Sequence, residues 1–173
     1  LVRAYREAFA AHEPVGVVIK VNHGASNPAA MAALQAEAAR GGVTVLAGDF
    51  ARADTYALIA CCDAYVSLHR SEGYGLTLAE AMALGKPAIA TRYSGNLDFM
   101  SGATSKLVGY DMTPVGQDLG PYRKDALWAE PRVSEAAKAM RWVVDQPAAA
   151  AAMGRRAQER DAIARSPRPV DQA

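Results

Sequence analysis

Ser71-Glu-Gly-Tyr-Gly-Leu-Thr-Leu-Ala-Glu80 lies between an apolar run that ends at Leu68 and a helical pattern that runs to Gly85. The order strand, glycine-containing turn, helix start brings backbone N–H groups together at the end of a strand, where they form a receptor for an anion. Gly73 and Gly75 can take positive φ and let a ligand approach the backbone, and the amides of Leu76, Thr77 and Leu78 open a helix whose positive end favours phosphate. Tyr74 stands between the two glycines. A carboxylate brackets the turn on each side. Glu72 is suited to accept from vicinal hydroxyls or to face developing positive charge, and it does not suit phosphate. Glu80, in the first part of the helix, is placed to reach a second diol. Hydroxyls, then phosphates, then hydroxyls is the layout of a sugar nucleotide.

Outward from this turn the chain alternates. On the N-terminal side, residues 2–12 carry Val2, Tyr5, Phe9 and Ala8 at helical spacing, and Val15–Val21 is a β-branched run. The loop Asn22–Asn27 leads into a helix from Ala29 to Arg40, which Gly41-Gly42 ends. Val43–Ala47 is a second strand, Ala53–Cys62 a helix and Ala64–Leu68 a third strand. On the C-terminal side, Thr77–Leu84 is a helix, Ala88–Thr91 a buried-type strand, Asn96–Met100 a short helix and Lys106–Gly109 a further strand. Residues 110–131 show no period, and Pro114, Gly116, Gly120, Pro121 and Pro131 predict a long surface loop there. Two helices close the chain, Ser134–Asp145, with Val133, Ala137, Met140 and Val144 inward, and Ala148–Arg165. Repeated β-then-α order predicts a doubly wound, Rossmann-like parallel α/β sheet over residues 1–146, with a C-terminal helix and tail over 147–173. In such a sheet the first strand is central, and the chain opens on the helix that should follow it. The expectation is therefore a sheet without its first central strand, cut from a longer protein.

Composition limits the functions available. With 51% hydrophobic and 21% charged residues among 173, the chain is globular, and a formal charge of +1 gives no ground for a nucleic-acid partner. Cys61 and Cys62 are adjacent and lack zinc spacing, as expected of free thiols in a reducing cytoplasm. No apolar run approaches the roughly 18 residues of a spanning helix, so the expectation is a cytoplasmic chain with peripheral attachment at the inner membrane surface left open. No Asp-x-Asp triplet is present, so a metal chelated by paired aspartates has no support, and no other cofactor is called for.

Plainer readings stand beside these. Thr77-x-x-Glu80 equally fits a capping box. Gly73 and Gly75 also fit a merely tight connection, and His69 and Arg70 a satisfied strand-end histidine and a surface arginine, with cleft lining as the alternative. A basic final segment (Arg155, Arg156, Arg160, Arg165, Arg168) is diluted by Glu159, Asp161 and Asp171, as in a solvated helix.

Glu72-Gly-Tyr-Gly-Leu-Thr-Leu-Ala-Glu80, extended by Ala81-Met-Ala-Leu-Gly-Lys-Pro87, resembles the Glu, seven residues, Glu signature of family-4 retaining glycosyltransferases of the GT-B fold. Val66-Ser-Leu-His-Arg-Ser-Glu-Gly-Tyr-Gly-Leu76, Ser94-Gly-Asn-Leu-Asp-Phe99 and Trp128-Ala-Glu-Pro131 extend the resemblance over nearly the whole chain, with Tyr74 where Phe is common. The resemblance implies the C-terminal, donor-binding half of a glycosyltransferase that pairs with an N-terminal acceptor domain. In that reading Glu72 contacts the transferred hexose, the turn Gly73, Tyr74, Gly75, Leu76, Thr77 holds sugar and diphosphate, and Glu80 takes the ribose hydroxyls. It further implies a nucleotide-sugar donor, transfer with retention, no metal, and an acceptor of unread identity (sugar, polysaccharide or lipid-linked). The family's phosphate-binding Arg and Lys have no counterpart after Leu1, so the isolated 173 residues are expected to turn over negligibly. Two alternatives remain open: a non-catalytic nucleotide-binding or structural α/β module, and a disaccharide phosphorylase of the same fold.

Overall fold

The computed structural model describes residues 1–120 and 122–165, with side chains to Arg160. Pro121 and the tail from Ser166, with Arg168 and Asp171, lie outside the described residues, as do the side chains of Asp161 and Arg165. The elements follow in the order α1 (Val2–Ala8), β1 (Val17–Val21), α2 (Pro28–Ala39), β2 (Val43–Ala47), α3 (Arg52–Cys61), β3 (Tyr65–Ser67), α4 (Leu76–Ala83), β4 (Ala88–Thr91), β5 (Lys106–Val108), β6 (Tyr110–Pro114), β7 (Leu127–Pro131), α5 (Val133–Asp145) and α6 (Pro147–Arg165). A 3-10 turn at Gly95–Asp98 stands where a short helix was expected.

All strand pairs up to β5 are parallel: β1 with β2 in one ladder, and β3-β4-β5 in another. Among the described residues no ladder joins β1 to β3. Both strands nevertheless serve one core. Val17 and Ile19 of β1, Val43 and Val45 of β2, Val66 of β3, Ile89 of β4 and Val108 of β5 pack with Tyr5 of α1, with Phe9 just after it and with Ala136, Met140 and Val143 of α5. The opposite face of β4, Ala88 and Ala90, meets Leu78 and Met82 of α4 and Ala157 of α6. Every residue of β4 is buried, so this strand reads as a continuous apolar run and carries helices on both faces. The architecture is a doubly wound α/β domain.

Caps and close contacts set the boundaries. The Asn27 side chain accepts from the Ala30 amide at 3.0 Å and starts α2, with Pro28 at the first helical position. Helix α6 settles on the end of α4 at Gly154, where a Cβ would lie 2.1 Å from the Gly85 carbonyl oxygen, and Gln158 donates to the Ala83 carbonyl at 2.9 Å.

Three expectations need correction. Helix α1 ends at Ala8, short of His12, because Arg141 of α5 donates to the Ala8 carbonyl and closes the helix there. Val144 is 40% exposed, and Val143 is the buried residue, since the inward stripe of α5 runs through Ala136, Met140 and Val143. Residues 110–131 are no structureless loop. β6 and β7 form an antiparallel hairpin in the register Tyr110 with Pro131, Met112 with Ala129 and Pro114 with Leu127. Both prolines sit at strand ends, where their missing N–H costs the ladder nothing.

Candidate functional site

The loops after β1, β2, β3 and β4 gather at the carboxyl ends of the parallel strands, the rim where ligands of such sheets bind. The turn after β3 is the best-built of them. Gly75 is buried, adopts φ 88°, ψ 48° and forms the N-cap of α4. A side chain here is disfavoured on two counts: the left-handed backbone itself, and a Cβ that would come within 3.3 Å of Leu78. The first helical bond of α4 runs from the Ala79 amide to the Gly75 carbonyl at 3.0 Å, which leaves the amides of Leu76, Thr77 and Leu78 at the open end of the helix.

The turn rests on the loop after β4. Gly95 lies so close beneath it that a Cβ would fall 1.7 Å from the Gly73 carbonyl oxygen. Ser94, held at φ 77°, ψ −156°, donates its hydroxyl to the Glu72 carbonyl. Asn96 is fully buried; its Nδ2 donates to the Thr91 carbonyl at 3.0 Å, while Oδ1 has no partner among the described residues. The Tyr74 ring, half exposed, leans on Phe99 with centroids 5.0 Å apart.

Glu72 is partly exposed, and its Oε1 accepts from the Gly73 amide at 3.1 Å, which fixes the carboxylate at the entrance of the turn. The capping-box reading of Glu80 fails: the N-cap is Gly75, Thr77 is the second residue of the helix, and no side chain caps it. Burial pushes the Tyr65 phenol above its ordinary pKa, with Thr77 acting in the opposite direction. Glu80 accepts from the Tyr56 hydroxyl at 2.8 Å, and Arg52 stands 3.5 Å from the same oxygen. Leu76, 69% exposed, projects from the helix start, so apolar surface as well as amides faces the rim.

His69 is satisfied within the fold. Its Nε2 donates to the Tyr93 carbonyl at 3.0 Å and its Nδ1 accepts from Ser67 at 3.2 Å. Arg70 ties the β6–β7 hairpin to the site: it pairs with Glu130, lies 4.7 Å from the centroid of the Trp128 ring, and offers its carbonyl to the Ala129 amide at 3.0 Å. The Arg70 guanidinium holds the Glu130 carboxyl below its usual pKa. Farther along the rim, His23, Gly24, Pro28, Met31, Gly48 and Asp49 line a cleft of about 650 Å³ at the ends of β1 and β2. Among the described residues no cluster of three or more His, Cys, Asp or Glu is arranged to hold a metal ion, and no helix is long and apolar enough to cross a membrane.

The family of glycosyl transferases group 1 matches residues 24–160, a span that includes the turn, both carboxylates and the hairpin. The chain belongs to this family. Solved structures similar to this group 1 chain include HepE of Anabaena in complex with UDP and glucose, at 17% identity and a TM-score of 0.68 over 94% of this chain and 39% of that one. A glycosyltransferase of Rickettsia africae aligns at 15% identity and a TM-score of 0.71, over 94% of this chain and 38% of its own. Sucrose-phosphate synthase of Thermosynechococcus elongatus aligns at 20% identity and a TM-score of 0.68, covering 94% and 37%. At these identities the likeness is one of fold, and it confirms the Rossmann-like architecture. The group 1 chain spans about two fifths of the length of these proteins. No curated protein matches it.

Sequence reasoning located Glu72, Gly73, Tyr74, Gly75, Leu76, Thr77 and Glu80, and the structure brings them onto one turn and helix start. It missed Ser94, Gly95 and Asn96 as the support beneath the turn, although Ser94-Gly-Asn was present as a motif. It also missed Tyr56 and Arg52 behind Glu80, for which the sequence carries no local signal.

Proposed function

We propose that this chain binds the nucleotide-diphosphate sugar donor of a retaining, family-4 hexosyltransferase. The observation that carries the reading is the set of amides 76–78, which opens between two carboxylates, each held by a hydrogen bond to its own neighbour. A diphosphate accepts from these amides and gains from the positive end of α4, without calling on a metal. Glu72 accepts from hydroxyls of the hexose, and Glu80 accepts from the ribose diol. When the bond from the anomeric carbon to the diphosphate oxygen breaks, the new negative charge falls on the amides and the positive charge on the sugar faces Glu72. The acceptor hydroxyl attacks from the same face, and its proton leaves on the departing diphosphate. The cleft at the ends of β1 and β2 extends the same rim and suits the base. The acceptor site belongs to a second domain, in keeping with the share of the similar structures that this chain spans. Solved complexes of HepE with UDP and with UDP-glucose lend the nucleotide-sugar reading weight.

Calorimetric titration of the full-length protein with UDP-glucose, GDP-mannose, UDP and GDP tests this. Glu80→Ala is expected to weaken bare and sugar-bearing nucleotide alike, by about ten- to hundredfold, the worth of hydrogen bonds to a charged group. Glu72→Ala is expected to weaken only the sugar-bearing form. Failure of every nucleotide to bind the wild-type protein overturns the proposal.

A further inference from the structure

Tyr56 and Arg52 lie on α3, and nothing in the catalytic scheme requires them. Yet they converge on one atom of the site. The Tyr56 hydroxyl donates to Glu80 Oε1 at 2.8 Å and accepts from Arg52 Nε at 2.6 Å, and Arg52 also stands 3.5 Å from Oε1. The Arg52 guanidinium lies 5.1 Å from the centroid of the Tyr56 ring. Arg52 is 78% exposed, whereas the Glu80 side chain is 27% exposed. Among the described residues both contacts fall on Oε1, so Oε2 keeps its lone pairs for a ligand.

We infer that Tyr56, oriented by Arg52, is the positioning residue that fixes Glu80 Oε2 toward a vicinal diol and thereby makes the site select ribonucleotides over nucleotides lacking the ribose hydroxyls. This rests on the donor-site reading above and deepens it. A carboxylate on a helix otherwise samples several rotamers, and a ligand that needs one of them bears the cost of fixing it. Here the cost is met before the ligand arrives. The Tyr56 hydroxyl occupies one oxygen in a charge-assisted bond, and the arginine behind it strengthens that bond by polarising the hydroxyl. A diol offers two O–H donors to the lone pairs of the remaining oxygen, while a dideoxyribose offers none and leaves the carboxylate desolvated without recompense.

The test is titration of the full-length protein with UDP and with 2′,3′-dideoxy-UDP, in wild type, Tyr56→Phe, Arg52→Gln, Glu80→Ala and the Tyr56→Phe/Glu80→Ala double variant, with GDP and its dideoxy analogue run in parallel. Tyr56→Phe is expected to weaken UDP or GDP about tenfold while changing the dideoxy form less than about twofold, so that the preference for the diol collapses. Arg52→Gln is expected to act in the same direction and by less. In the Glu80→Ala background, Tyr56→Phe is expected to change nothing further. Equal loss for the ribo and dideoxy forms, or a loss that persists without Glu80, makes Tyr56 a packing residue of α3 and overturns the inference while leaving the donor site standing. Binding of no nucleotide by the wild type overturns both. Thermal unfolding of each variant separates loss of fold from loss of diol preference.

Discussion

Gly95 has no space for a side chain: its Cβ direction is filled by the Gly73 carbonyl, and Ser94 beside it holds the Glu72 carbonyl. A methyl group here must push the turn away from its support, an overpacking that costs about 1–3 kcal/mol. Gly95→Ala is expected to lower the midpoint of thermal unfolding and, because the displaced turn carries the amides 76–78, to weaken nucleotide binding as well. Ala at Gly73, whose Cβ meets nothing within 4 Å, is expected to leave stability nearly unchanged, which unfolding curves of the two variants compare directly. At this scale the sequence was informative where chemistry is local. Glu72, Gly75 and the helix-start amides follow from residues within one turn of one another. Tyr56 was not legible, because its contact with Glu80 spans 24 positions and crosses a strand and a turn.

The β6–β7 hairpin shows the same limit for whole elements. Ala129 is fully buried and its amide bonds the Arg70 carbonyl, yet the residues that pair across the hairpin are up to 21 positions apart, and neither strand alternates cleanly enough to announce itself. The parallel strands were legible because β-branched runs between glycine and proline punctuation mark them locally; β2 and β4 fall at the residues expected. Trp128 is the hairpin's anchor, since Arg70 covers its ring and Tyr122 meets its edge with centroids 6.3 Å apart. The partly exposed Arg70 and Glu130 pair contributes little by itself, about 0–1 kcal/mol, so the ring and the buried Ala129 do most of the holding. Trp128→Ala is expected to speed limited proteolysis between Val115 and Ala126 severalfold while leaving cleavage elsewhere unchanged. Mass spectrometry of the fragments reads this out.

Across the whole molecule, α1 and α5 are joined by Arg141, which reaches a residue 133 positions away in the chain. It donates to the Ala8 carbonyl and pairs with Glu13 at 2.7 Å, and its guanidinium stands 4.4 Å from the centroid of the Phe9 ring. The hydrogen bond from Arg141 lowers the Glu13 pKa from 4.5 to about 2. Arg132 beside Asp111 lowers that carboxyl too, and the Gly109 amide, then Arg132, does so for Glu135. Depressed carboxyls contribute stability that is fully present above their ordinary pKa and is lost as pH falls through the folded value. The unfolding midpoint is therefore expected to hold from neutral pH down to about 5 and to fall steadily below it. In Glu13→Gln the loss between pH 4.5 and about 2 is expected to shrink relative to wild type. Arg141→Ala is expected to cost more than Glu13→Gln at neutral pH, because it also frees the end of α1.

The cations placed over indole rings give the molecule optical reporters. Of the chain's two tryptophans, Trp142 lies under Lys106, with Nζ 3.6 Å from the ring centroid, and reports the contact of α5 with the strand β5. Trp128 lies under Arg70, two residues before Glu72. In a Trp142→Phe protein the remaining emission comes from Trp128 alone, and on the proposed reading a sugar that draws on Glu72 is expected to disturb the field at that indole. Occupancy of the proposed site is then expected to read out as a change of colour and intensity, followed in real time without a label.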